Sequence, residues 1–138
     1  MNHIDINADG VMDVILKVRW ENGNAHSFDK YMVALSYGNI FLEVPLGDSA
    51  KYEFRNEEGA DCIVEDYSFR KDDKGWLVVT EYRREFGKGY ADVQKVEITT
   101  YKLVEETDPI PGFPLYFLKP VHKQVAKKKY CDVRELMR

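Results

Sequence analysis

The sequence predicts an all-β fold, an antiparallel β-sandwich of about seven to eight strands with a short C-terminal helix; a barrel is the alternative arrangement of the same strands. Three observations lead there. Nine Tyr and seven Phe stand among abundant Val and Ile, residue types that suit a pleated, half-buried surface. From Asp13 to Trp20 apolar residues recur with a period of two, the repeat of a strand. Gly, Pro and Asn-Gly signals are scattered singly and divide the chain into short runs. With 138 residues and no internal repeat or linker, the chain suits one domain, residues 1–138, able to bury about two thirds of its surface.

The elements follow in order. In Asp13–Trp20, Val14, Leu16, Val18 and Trp20 alternate with Ile15, Lys17 and Arg19, as expected of a strand with one buried face, and Glu21-Asn22-Gly23-Asn24 ends it in a turn. Tyr31 to Tyr37 and Asn39 to Val44, parted by Gly38 and closed by Pro45, suit a hairpin. Gly47 to Asp61 reads as loop with a short edge strand at Lys51 to Phe54. Cys62 to Arg70, the charged turn Lys71-Asp72-Asp73-Lys74-Gly75, Trp76 to Phe86, the reversal Gly87-Lys88-Gly89 and Asp92 to Glu105 form a three-stranded meander. Pro109 and Pro111 break the pattern, and Phe113 to Val125 is a last strand interrupted at Pro114 and Pro120, which suits an edge or bulge. Asp132 is placed to cap a helix over Val133 to Met137, with Glu135 completing a capping box.

Charge narrows the function classes. Twenty Lys plus Arg against twenty-four Asp plus Glu leave a net charge of -4, which gives no overall attraction for nucleic acid or anionic lipid. The cluster His122, Lys123, Lys127, Lys128 and Lys129 reads as a solvated edge. No window has the apolar length of a membrane span, and the polar start Met1-Asn2-His3 carries no export signal. Cys62 and Cys131 fit either a bridge closing a loop of about 70 residues or two buried thiols.

The sharpest motif is Asp5-Ile6-Asn7-Ala8-Asp9-Gly10-Val11-Met12-Asp13. Its oxygen side chains stand at loop positions 1, 3, 5 and 9 with Gly at 6, and Val11 offers a carbonyl at 7; residues two apart converge on one hard cation. Leu16 stands where an EF-hand has its bidentate Glu, so the loop is similar instead to the loop-then-strand calcium motif of FG-GAP and related repeats. Structural calcium on Asp5, Asn7, Asp9, Val11 and Asp13 is the expectation. The competing reading is a metal-free turn in which the Asx side chains accept backbone amides.

Catalytic signals are weak. Ser27-Phe28-Asp29-Lys30 is a Ser-x-x-Lys that lacks partner motifs, while His3, His26 and His122 have no metal-ligand spacing. A hydrolase would have to use Ser27 with Lys30 or His26. Paired acids such as Glu65-Asp66 and Glu57-Glu58 carry little information, and Glu81-Tyr82-Arg83-Arg84-Glu85 suits cross-strand charge pairing. The excess of Tyr and Trp on a sheet face would mark a partner surface.

Several segments together resemble the carbapenem intrinsic-resistance proteins of the CarG type: Asp5 to Val18, Asn24 to Asp29, Gly59 to Tyr67, Tyr101 to Leu103, and Lys127 to Val133. The resemblance implies a small secreted β-sandwich acting in the periplasm as a homodimer, its export signal removed. It also implies protection from carbapenems without hydrolysis, by sequestration of the drug or by shielding a penicillin-binding protein. In that compartment the Cys62–Cys131 bridge becomes the favoured reading, and calcium sites of extracellular type become physically reasonable.

Overall fold

In the computed structural model, which describes residues 2–21, 23, 27–47, 54–59 and 62–138, the chain folds as two antiparallel five-stranded sheets. The first holds β1 (Asn2–Ile4), β2 (Asp13–Trp20), β3 (Phe28–Tyr37), β4 (Ile40–Glu43) and β5 (Phe54–Arg55). The second holds β6 (Glu57–Glu58), β7 (Ile63–Lys71), β8 (Leu77–Arg84), β9 (Val96–Glu105) and β10 (Tyr116–Val125). The second sheet is a meander in strict chain order. In the first, β1 to β4 follow one another, and β5 pairs with β3 at Tyr31 and Lys30, nearer the start of β3 than the residues that β4 pairs. The strand count exceeds the expected seven to eight through β1 and β6, which are too short to show any period, while β5 begins at Phe54, where the short edge strand expected at Lys51 to Phe54 ends.

Strand β2 has the expected bounds, but its more apolar alternation faces outward. Ile15 is buried and pairs with Val33, whereas Lys17 and Arg19, on the same side, reach Asp29 at the rim at 3.6 and 3.2 Å. Val14, Leu16, Val18 and Trp20 lie on the other face, where Trp20 stacks on Phe28 with ring centroids 5.0 Å apart. Gly38 sits at φ +63 in the β3–β4 turn, a left-handed conformation that favours glycine. In β10 the register shifts between Pro120 and His122, the irregularity the proline suggested, and the strand is an edge.

The main core lies between the sheets. Ile15, Tyr31, Val33 and Leu35 meet Tyr67, Leu77, Val79, Leu103 and Leu118, with Phe54 fully buried among the aromatic rings. Two seams tie the layers: Leu118 exchanges backbone bonds with Pro45 and Gly47 at 2.9 and 2.8 Å, and Leu77 N–H donates to Ile6 at 2.9 Å. A second, smaller core of Ile63, Val96 and Val133, with Tyr82, Ile98, Tyr130 and Leu136 around it, is closed by the C-terminal segment. There the expected helix is a single 3-10 turn, Val133–Leu136, capped by Asp132, which accepts from Arg134 N–H at 2.9 Å. Four residues are too few to offset the cost of nucleating an α-helix.

Candidate functional site

The Asp5–Asp13 loop joins β1 to β2 and hangs on its own side chains. Asp5 accepts from the amides of Asn7, Asp9 and Gly10 at 3.3, 3.3 and 2.8 Å, and Asp9 from Val11 at 2.9 Å. Gly10 at φ +82 and Ala8 at φ +57 supply the left-handed steps of the turn. Asp13 is fully buried; its two oxygens accept from Ile6 N–H at 2.9 Å and Ser36 N–H at 2.7 Å, joining the loop to β3. One oxygen from each of Asp5, Asp9 and Asp13 lies within 4.8 Å of the others.

The end of the Asn7 amide stands 3.1 to 3.3 Å from oxygens of Asp5 and Asp9. Turned one way it gives them its NH2 group; turned the other, it adds an oxygen to the cluster. Burial presses the Asp5 carboxyl upward, but the amides of Gly10, Asn7 and Asp9 and the charge of Lys71 outweigh it and hold the group below its ordinary value. Asp13 is pushed up, by burial first, with the amides of Ile6 and Ser36 opposing and the charges of Asp9 and Asp5 adding to the rise. Three acids crowded in this way favour either a proton or a cation among them. The sequence-predicted ligands Asp5, Asn7, Asp9 and Asp13 are thus brought together, while the side chain of Val11 points to solvent.

Cys62 and Cys131 are joined as a disulfide, with Cα atoms 5.6 Å apart, pinning the C-terminal segment beside the start of β7. Next to it lies a feature the sequence did not single out. Arg84 is buried, and its guanidinium donates to the carbonyls of Glu85, Phe86, Gly89, Tyr90, Asp92 and Cys131. Desolvation lowers its pKa from the ordinary value, opposed by the charge of Asp92. One side chain therefore organises the whole loop between β8 and β9. Gly59 lies so close to Tyr90 that a Cβ there would collide with the ring, and Tyr90 O–H donates to Glu57 at 2.8 Å.

The inner face of the second sheet changes character along its length. Strand register sets Leu77, Leu103 and Leu118 in one row, Phe69, Val79 and Tyr101 in the next, then Tyr67, Glu81 and Thr99, and finally Glu65, Arg83, Glu97 and Val125. The first rows belong to the core. The last forms the floor of an open cleft of about 440 Å³, with Glu85, Phe86 and Lys95 at its border. Arg83 reaches Glu97 at 3.4 Å, a cross-strand pairing of the kind the charge run suggested, and Lys123 approaches the same carboxylate at 3.4 Å. The Tyr67 hydroxyl sits 3.0 Å from both Glu65 and Glu81.

The residues considered for hydrolysis are placed differently. Ser27 is 1% exposed and its hydroxyl donates to Glu21 at 2.5 Å. Lys30 lies on β3 with its backbone paired to Val18 and Arg55. His26, like Lys51 of the expected edge strand and Asn22 of the first turn, lies outside the described residues. No helix among the described residues is long and apolar enough to cross a membrane.

Comparison with known proteins fits this architecture. A solved structure described as "Crystal structure of CarG" has the same fold, with a TM-score of 0.86 at 23% identity over 99% of this chain and 87% of that one. Among curated proteins none matches the sequence. Over residues 1–138 the sequence matches the family described as "Carbapenem resistance protein CarG-like", and the chain belongs to that family.

Proposed function

We propose that this protein protects its cell from carbapenems without catalysis, by holding the drug in the periplasm. Membership of a carbapenem resistance family supplies the drug class. The observation that carries the non-catalytic reading is the state of Ser27, buried and with its proton given to Glu21, which suits a structural hydroxyl and not a nucleophile open to substrate. The Cys62–Cys131 disulfide supports an oxidising compartment. The outward stripe of Val14, Leu16, Val18 and Trp20, continued on β3 by Phe28 and Met32, supports pairing of two copies as a homodimer. At the Asp5–Asp13 loop a calcium ion would be held by Asp5, Asn7, Asp9, the carbonyl of Val11 and Asp13, and would relieve the mutual repulsion of the acids. Its role is to brace the start of β2.

The test is incubation of the purified protein with excess carbapenem, following the β-lactam chromophore while free drug is measured by equilibrium dialysis. Depletion that saturates at a fixed stoichiometry with the chromophore intact is the expected result. Loss of chromophore beyond one equivalent would make the protein a hydrolase. Absence of depletion would reject sequestration and turn attention to shielding of a penicillin-binding protein.

A further inference from the structure

We propose that the cleft at the polar end of the second sheet binds a small zwitterion: a carboxylate and an ammonium group carried on an apolar body. The proposal rests on the sequestration reading and gives it a place and a charge pattern. At about 440 Å³ the cleft has the size of a small-molecule site.

The argument lies in which charged groups are already engaged. Glu57 accepts from Tyr90 at 2.8 Å, Glu65 from Tyr67 at 3.0 Å, and Glu97 faces both Arg83 and Lys123 at 3.4 Å. Arg84 also lines the cleft, but its guanidinium is taken up by backbone carbonyls. What remains is specific. Arg83 has a single long hydrogen bond among the described residues, with the rest of its five donors unused, and its side chain is 53% exposed. Among the described residues Lys95 and Glu85 have no side-chain partner at all, although their backbones are bonded, Glu85 N–H to the Lys95 carbonyl at 2.9 Å.

Two cations and one carboxylate with free hydrogen-bonding capacity therefore border one concave surface. Their complement is a carboxylate between Arg83 and Lys95 and an ammonium at Glu85. The apolar body is met by Phe86 and Val125, both more than half exposed. A ligand with only negative charge meets four glutamates; one with only positive charge leaves Arg83 and Lys95 unpaired. Zwitterionic carbapenems and free dipeptides both carry this pattern.

The test is titration calorimetry on the full oxidised chain with three probes. These are a carbapenem bearing a side-chain amine, the same compound with its carboxylate esterified, and the free dipeptide of D-alanine. Binding of a zwitterion, at least tenfold weaker for the ester and for Arg83→Gln or Lys95→Gln, is the expected result. Glu85→Gln should weaken the carbapenem and the dipeptide alike, since both carry the ammonium group. All three side chains are exposed, and circular dichroism melts verify that the variants fold. Drug binding unchanged in all three variants would overturn the cleft while leaving sequestration intact. Dipeptide binding without drug binding would uphold the cleft and reject sequestration, and no binding by any probe would overturn the proposal.

Discussion

Tyr31, on the first sheet, gives its phenolic proton to Asp66 on the second across 2.8 Å, and Asp66 also takes the amide of Tyr67 at 2.8 Å and Arg134 Nε at 3.0 Å. A single buried carboxylate thus ties both sheets and the C-terminal segment. Tyr31→Phe should lower stability by about 1–2 kcal/mol in urea denaturation, because Asp66 loses a donor it cannot replace with water. Arg134→Ala should cost less, since its side chain is 40% exposed. The reverse order would locate the weight of the network at the surface.

Burial resists ionisation of three phenols. Tyr31 and Tyr67 are pushed far above the ordinary value, by desolvation first and then by Asp66 or by Glu65 and Glu81, while Tyr101 is pushed up to about 12 by burial and Glu81. Spectrophotometric titration of the native protein should leave these three of the nine tyrosines protonated at pH 11. The unfolded chain loses those protons near pH 10 and the folded chain holds them. Stability is therefore complete below pH 10 and declines as pH rises. A native titration indistinguishable from the denatured one contradicts this.

Reducing the disulfide should cost roughly 4 kcal/mol on the chain-entropy scale, for cysteines separated by 69 positions. The check is thermal melting of the wild type with and without dithiothreitol beside a Cys62→Ser/Cys131→Ser double variant. Loss should concentrate in the second core, so Val133 and Leu136 should gain hydrogen exchange before Val33 and Leu35.

Asp9→Ala should lower the melting temperature only when calcium is present. Equal loss in chelator would leave the loop a metal-free Asx turn. Asp13→Ala should destabilise in both conditions, because it strands the buried amide of Ile6 and the partly buried one of Ser36.

If the outward face of the first sheet pairs two copies, as proposed, Val18→Lys should sediment as a monomer where the wild type sediments as a dimer. Val18 is 48% exposed, so the melting temperature of the monomer should stay unchanged.

Much of this was legible in the residues. Alternation and turn chemistry placed β2, the Gly38 hairpin and the bulge at Pro120, and oxygen spacing located the Asp5–Asp13 loop. Alternation cannot say which side of a strand faces in when both carry apolar atoms. In β2 the long stems of Lys17 and Arg19 turn inward because Asp29 awaits them. The cleft was hidden for another reason. Glu65, Arg83, Glu97 and Val125 sit on four strands and become one row only through register. Arg84 carried one faint signal, its place between Tyr82 and Phe86 on the face opposite Arg83.

The division of the sheets has a temporal side. Every strand of the first sheet lies before residue 56 and every strand of the second after it, and both cysteines belong to the later part. A ribosome delivers the apolar inner face of Tyr31, Val33 and Leu35 before its cover exists, and Leu118 arrives more than sixty residues after Phe54. At about 5–20 residues per second this interval lasts several seconds. During it the half-made chain is a single layer with its apolar face uncovered and with neither of the cysteines that later restrain it.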